Sequence, residues 1–254
     1  MNHISVNGID LAYERRGKGN PLVLIHGFPL DHTSWEDVAL LLQDDFDLII
    51  PDLRGFGESG SVDASYTVAD MADDISGLLN NLGIEKAAFA GHSMGGYVAL
   101  SFAKAYPQKV SGLGLVSSQA LADSPERKAG RYKTAEDVAE KGVIVVVDAM
   151  SSKLSSNADV QVYVRRVIER QGKSGVMGAL KAMAEREDLS PSLSSFNFPV
   201  VLLHGAADVL IPVDRSREIE QIMPSAHLIE LPEAGHMPMK EFPSEAANAL
   251  MFLK

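Results

Sequence analysis

Gly91-His92-Ser93-Met94-Gly95 sets a serine hydroxyl between two glycines, each two residues away. Before it, Lys86–Ala90 is a short apolar run. After it, Met94–Ala105 carries apolar side chains at helical spacing (Val98, Phe102, Ala105) as far as Tyr106-Pro107, where proline cannot continue the ladder. A strand that reverses into a helix within a few residues crowds its apex. Glycines at these two positions remove the side chains that would collide there. In a Gly-rich loop the G-x-S-x-G pattern is an ordinary turn; between a strand and a helix it is a nucleophile elbow, which holds the hydroxyl over the end of a sheet.

A serine hydroxyl is a weak nucleophile at neutral pH, so it needs a base that is itself oriented by a third group. Seven histidines compete for that role. His92 lies inside the elbow, where its backbone faces the wrong way to serve Ser93. His26 and His204 follow buried runs and precede glycines, which suits turn packing. His3 and His32 fall in a terminal strand and a loop, and His227 begins a strand. His236 sits in the loop Glu233–Pro238 after the last predicted strand, at the sheet end where loops carry function. Among the acids, Asp208 follows the penultimate strand, beside the histidine loop if those strands are neighbours. Asp52 belongs to a packed turn with Arg54-Gly55-Phe56-Gly57, Asp214 opens the next helix, and no acid directly follows the strand Val110–Val116. The candidate catalytic set is therefore Ser93, Asp208 and His236, in the chain order Ser…Asp…His.

These loops need a scaffold, and the hydrophobic pattern supplies one. Ile4–Val6 and Ile9–Glu14 read as short edge strands joined at Asn7-Gly8, a hairpin dipeptide. Pro21–Ile25, Phe46–Ile50, Val110–Val116, Phe198–Leu203 and Ala226–Leu231 read as further strands. The most continuous of these runs suit strands buried on both faces, as in a parallel sheet. Between them lie amphipathic helices: Ser34–Leu42 with Ser34 and Asp37 as a capping box, and Thr67–Leu82, capped by Thr67 and Asp70 and ended by Gly83. Val213–Ile222 and Ser244–Leu253 complete that set. The alternation predicts an α/β fold with a mainly parallel central sheet flanked by helices.

From Ser118 to Leu193 no buried strand is evident. Helical pieces fill the stretch: Pro125–Tyr132, Thr134–Glu140, Val143–Leu154, Asp159–Arg170 and Ser174–Arg186. Val143–Val147 has strand propensity, but its helical neighbours offer nothing to pair with, so helix is expected. Residues 118–193 are thus read as an inserted helical cap, or lid, over a core formed by 1–117 and 194–254.

Composition narrows the function classes. A chain of 254 residues with 46% hydrophobic content buries a core sufficient for one large domain. It has no cysteine, so disulfides, thiolate chemistry and cysteine-based metal sites are excluded. No apolar run reaches the roughly eighteen residues of a membrane span, and Met1–Gly8 lacks a signal-peptide core. A cytoplasmic location is expected. A net charge of −11 argues against nucleic-acid binding, which needs a basic face. No Walker or GxGxxG stretch stands in the right context and no His-rich metal spacing occurs, so neither a cofactor nor a metal is expected. The partner is a small-molecule substrate; oligomeric state is not readable from the chain.

Five motifs in order, His26-Gly27-Phe28-Pro29, Asp52–Ser59, Gly91–Gly96, Gly205–Asp208 and Gly235-His236, make the sequence resemble the α/β-hydrolase family over nearly its whole length. The resemblance implies an oxyanion hole made by two backbone N–H groups, that of Met94 after the nucleophile and that of Phe28 after the His-Gly pair. Pro29 has no N–H to offer. Serine rather than aspartate at the apex argues against removal of halide from carbon. The activity implied is cofactor-free hydrolysis of a carboxylic ester by a serine esterase, with enol-lactone hydrolysis as the nearest alternative. A small-molecule receptor that retains the triad is the alternative of another class.

Methionines suggest the pocket. Met150, Met177 and Met183 lie in the cap, and Met94, Met237, Met239 and Phe28 in the catalytic loops. Methionine suits adaptable apolar pockets, although core packing competes at each position. Met150, Met177, Met183 and Met237 are the pocket candidates, and the pocket is expected to be compact, apolar and uncharged. It would favour short- to medium-chain or aryl esters. Arg165 or Arg166 turned inward would select an anionic lactone, but on a mostly polar helix face solvent exposure is expected.

Overall fold

Residues without a polar atom in the side chain build the centre of the fold: Leu22, Val23, Leu24 and Ile25 have no exposed surface. The computed structural model describes residues 1–62 and 64–254. β1 (Asn2–Val6) and β2 (Ile9–Gly17) pair antiparallel through a turn in which Asn7 and Gly8 both take positive φ, 46° and 80°. β3 (Asn20–Ile25), α1 (Glu36–Leu42), β4 (Phe46–Pro51), α2 (Val68–Asn81), β5 (Ala87–His92), α3 (Met94–Ala105) and β6 (Val110–Val116) follow. Thr67 and Asp70 form the capping box expected at α2.

The remaining core elements are β7 (Val200–Gly205) and β8 (His227–Leu231), to be joined by a helix described below; the sheet order is β1-β2-β4-β3-β5-β6-β7-β8. β3 to β8 all run parallel, while β2 is antiparallel to both of its neighbours. β2 is therefore interior rather than an edge strand. Its C-terminal end is held by Arg15 on Asp47 and Arg16 on Glu36, from opposite faces of the strand. Because the six strands are parallel, the loops after β3, β5, β7 and β8 leave the sheet at one common edge. Those loops carry Phe28, Ser93, Asp208 and His236.

Four helices fill the chain between β6 and β7: α4 (Pro125–Lys141), α5 (Ile144–Leu154), α6 (Ala158–Glu169) and α7 (Lys173–Ala184). The break expected between Tyr132 and Thr134 does not exist. No glycine or proline interrupts Arg131–Thr134, and Thr134 spends its hydroxyl on the Gly130 carbonyl, 2.9 Å away, so α4 runs on to Gly142. Ile144–Val147 is helical, with Val143 as the N-cap residue, since Val146 and Val147 find burial on a helix face that outweighs their strand propensity. The Leu189 N–H donates to the Ala120 carbonyl at 2.9 Å, tying the two ends of this segment together at its base. After β7 come α8 (Asp214–Ile222), which leads into β8, then α9 (Pro238–Glu241) and α10 (Pro243–Leu250).

One cap is misplaced in the sequence reading. Ser34 and Asp37 do not box the first helix. The Asp31 carboxylate accepts from the Thr33 N–H instead and starts a tight 3-10 turn at His32–Trp35. A charged acceptor two residues upstream outcompetes a hydroxyl, and α1 begins only at Glu36. Ser34 is buried and its hydroxyl has no partner among the described residues. No helix among the described residues is long and apolar enough to cross a membrane.

Candidate active site

The turn at Ser93 is enforced by its glycines. A Cβ on Gly91 would lie 2.2 Å from the Gly95 carbonyl oxygen, and one on Gly95 would lie 2.3 Å from that of Ile25. Ser93 itself takes φ 51° and ψ −112°, backbone geometry that costs on the order of 1–3 kcal/mol in a residue with a side chain. Surrounding bonds hold it: Ser93 N–H donates to Val116 at 2.9 Å, and the Ser118 hydroxyl and the Gly96 N–H both donate to the Ser93 carbonyl.

β7 and β8 are adjacent, and that adjacency brings Asp208 to His236. The His236 Nδ1–H donates to Asp208 Oδ2 at 2.6 Å, with both side chains buried. A carboxylate can only accept, so the bond fixes the proton on Nδ1 and leaves Nε2 with a free lone pair. Asp208 Oδ1 is occupied as well, accepting from the Leu210 and Ile211 N–H groups at 2.8 and 3.0 Å. Burial pushes the Asp208 carboxyl up, but the His236 ring beside it and bonds from His204, His236 and Ile211 outweigh this and hold it well below the usual carboxylate range.

His236 is anchored through its backbone. Its N–H donates to the Leu154 carbonyl, 3.2 Å away at the end of α5, and its carbonyl accepts from His92 Nε2 at 2.8 Å. Burial, with the His236 ring beside it, keeps His92 well below the ordinary imidazole range. His92 is thus a neutral strut for the histidine loop. Glu241 adds a second strut, accepting the Gly235 N–H at 2.8 Å and the Ser155 hydroxyl. Among the other histidines, His204 also approaches Asp208, its Nε2 3.4 Å from Oδ2, and the rest are engaged elsewhere. His26 donates to Gly27 and accepts from the Leu53 N–H; His204 bonds Ser216 and Ile211. Half-buried His32 lies on buried Asp52, which also accepts from the Glu58 N–H, and neither forms part of the cavity wall. Asp214 faces solvent on Arg217.

Ser93 and His236 line the same cavity, about 300 Å³ in volume, together with Phe28. No backbone bond among the described residues takes the N–H of Phe28 or of Met94. The Met94 N–H is an orphan donor at the start of α3, where the helix also presents its positive end. A second cavity of about 190 Å³ shares Tyr97 with this one but holds neither Ser93 nor His236, so the candidate site is the larger of the two.

The wall departs from the sequence reading in two ways. Met150 and Met183 line it, beside Val146, Leu180 and Leu210; Met177 and Met237 do not. Met237 adjoins His236 in the chain, but its side chain is fully buried in the core. The wall is also not uncharged, because Arg127, Arg131 and Lys153 are part of it. Arg165 and Arg166 are outside it, Arg165 pairing with Asp148 on the surface. One sequence signal pointed to the cations. Arg127 and Arg131 share a helix face at i, i+4, a like-charge spacing that weakens a helix unless something outside offsets it.

Comparison with known proteins places this architecture. The alpha/beta hydrolase fold profile matches residues 20–243. The dihydrolipoyllysine-residue acetyltransferase component of an acetoin cleaving system in Pseudomonas putida is 32% identical over 238 residues, 88% of this chain. The chain spans 60% of the length of that protein. A malate-bound thermophilic esterase from Thermogutta terrifontis superposes with a TM-score of 0.95 at 36% identity, covering 99% of this chain and 97% of that one. An enol-lactonase from Burkholderia xenovorans LB400 superposes with a TM-score of 0.91 at 25% identity, each chain covered to 99%.

Proposed function

Because the chain belongs to the α/β-hydrolase family, we propose that it is a serine hydrolase that cleaves small carboxylic esters through an acyl-enzyme. The observation that carries this reading is the 2.6 Å bond from His236 to Asp208, with His236 and Ser93 on the wall of one cavity. In the proposed cycle the lone pair on His236 Nε2 takes the Ser93 proton as the hydroxyl oxygen attacks the ester carbonyl. Negative charge builds on the carbonyl oxygen, where the Phe28 and Met94 N–H groups receive it. One such donor is typically worth about 3–4 kcal/mol of transition-state stabilisation. The imidazolium returns its proton to the departing alkoxide. Water, deprotonated by the same ring, then attacks the acyl-Ser93 carbonyl and releases the acid.

A cavity of about 300 Å³ is at the small end for ligand sites, which favours short- to medium-chain or aryl esters over long-chain lipids. Residues 118–193 act in this reading as the lid, since α4, α5 and α7 contribute wall residues. A second reading, hydrolysis of an enol-lactone, is favoured by the fold-wide similarity to the Burkholderia enol-lactonase. It needs the same residues, because a lactone is a cyclic ester. The test is a chain-length series of p-nitrophenyl esters beside a panel of lactones. Highest kcat/KM at short to medium acyl chains supports the ester reading, and an advantage of about a hundredfold for an enol-lactone replaces it with the second. Absence of turnover on every ester and lactone, with tight binding of one of them, would make the protein a receptor.

A further inference from the structure

Three cations, Arg127, Arg131 and Lys153, line the cavity, in a chain whose net charge is −11. Asp123, whose side chain is fully buried, is the acid that Arg127, Arg131 and Arg186 share. Its Oδ2 pairs with Arg131 and its Oδ1 with Arg186 at 2.8 Å, so both oxygens already have a guanidinium partner. Arg131 and Arg186 hold this carboxyl below its usual range despite burial, so it counts as one negative charge. Arg127 stands 3.8 Å from the same carboxylate, beyond hydrogen-bond length, and Lys153 on α5 has no ion pair among the described residues. No Asp or Glu among the described residues lines the cavity. One carboxylate thus serves three guanidinium groups, and the surplus positive charge on the cavity wall lies on Arg127 and Lys153.

Neutralising Asp123 does not require that surplus, and it has a cost. Arg127 and Arg131 repel one another at i, i+4 on α4. An apolar substrate would bury part of Lys153 and Arg127 without giving them a partner, which is unfavourable. A substrate with its own negative charge removes both penalties. Arg127 is also pre-positioned, because its Nη2 donates to the Leu210 carbonyl, 3.3 Å away on the cavity wall.

We propose that this cavity selects esters bearing a carboxylate remote from the scissile bond, anchored by Lys153 and Arg127. The proposal rests on the ester-hydrolase reading for the reaction, but the anion site itself is testable without turnover. The probes are monomethyl esters of the straight-chain diacids from succinic to suberic, each beside the neutral isostere in which the free acid is a carboxamide. Calorimetry on the Ser93→Ala protein measures binding, and the wild-type protein measures hydrolysis of both series. At least one chain length should bind about tenfold more tightly as carboxylate than as carboxamide, as expected for charge-assisted bonds. The preference should narrow with added salt and fall to within about twofold in Ser93→Ala/Lys153→Met. Arg165→Met, on the outer surface, should leave it unchanged.

Equal or tighter binding of the carboxamides at every length overturns the anion site, whether or not the methyl esters are hydrolysed. A carboxylate preference that survives both Lys153→Met and Arg127→Met overturns the assigned anchor. Binding with the predicted preference but no hydrolysis in the wild type leaves the anion site standing and overturns the hydrolase reading instead.

Discussion

Replacing Asp208 by Asn tests how a single proton is placed. Asp208 uses one oxygen for two backbone donors, Leu210 and Ile211, and the other for His236 Nδ1 at 2.6 Å. In Asp208→Asn the side-chain oxygen must stay on the two N–H donors, because the flipped amide would point its NH2 at them. The NH2 is then forced against His236 Nδ1, which can answer only as an acceptor. The ring proton moves to Nε2, and the atom that should take the serine proton no longer has a lone pair. The expected loss in kcat is on the order of ten-thousand-fold, or about 5 kcal/mol at 1.36 kcal/mol per tenfold. KM should change little, since Asp208 is not on the cavity wall. Stability should fall by only about 1–2 kcal/mol, as charge-assisted bonds to the two N–H groups become neutral ones. Turnover of p-nitrophenyl butyrate, with circular dichroism melts on the same samples, separates the two effects. A variant within tenfold of wild type in kcat would refute the tautomer assignment, as would an equal loss on substituting Asp52 or Asp214.

Gly95→Ala pushes a methyl group to 2.3 Å from the Ile25 carbonyl oxygen, so it should destabilise by about 1–3 kcal/mol or more and lower Tm measurably; an unchanged Tm contradicts the crowded elbow. Glu241→Ala frees the Gly235 N–H and should loosen the histidine loop, lowering kcat by roughly tenfold to a hundredfold with little change in KM. A kcat equal to wild type means that the His92 and Leu154 contacts hold the loop alone. Asp52, Asp123 and Asp208 all have folded pKa values below their unfolded ones, so the unfolded chain binds more protons in acid. Their stabilisation is complete above about pH 4 and is lost as pH falls below it. Tm should therefore drop steeply on that acid limb, and Asp208→Asn should flatten it; an unchanged slope in the variant removes Asp208 from that account.

What was readable in the sequence followed from short-range causes. The elbow is a local steric solution, written in Gly91, Ser93 and Gly95 within five residues. The buried strands are unbroken apolar runs, and the adjacency of Asp208 and His236 follows from two consecutive parallel strands. The pocket was less readable because it is lined from far apart. Met237 adjoins His236 in the chain yet turns into the core, since backbone neighbours do not share a side-chain direction. Lys153 and Arg127 reach the cavity only once α4 and α5 pack over the sheet edge. Two local signals also competed at Asp31 and Ser34, and the charged one prevailed.

The most direct test of the account is covalent labelling with an activated organophosphonate ester, read by intact mass and peptide mapping. The expected result is one adduct per chain on Ser93, formed in step with loss of turnover and absent from Ser93→Ala, which should itself lose on the order of a million-fold in kcat. An adduct at any other residue, or a Ser93→Ala protein that still hydrolyses esters at the wild-type rate, would contradict Ser93 as the nucleophile.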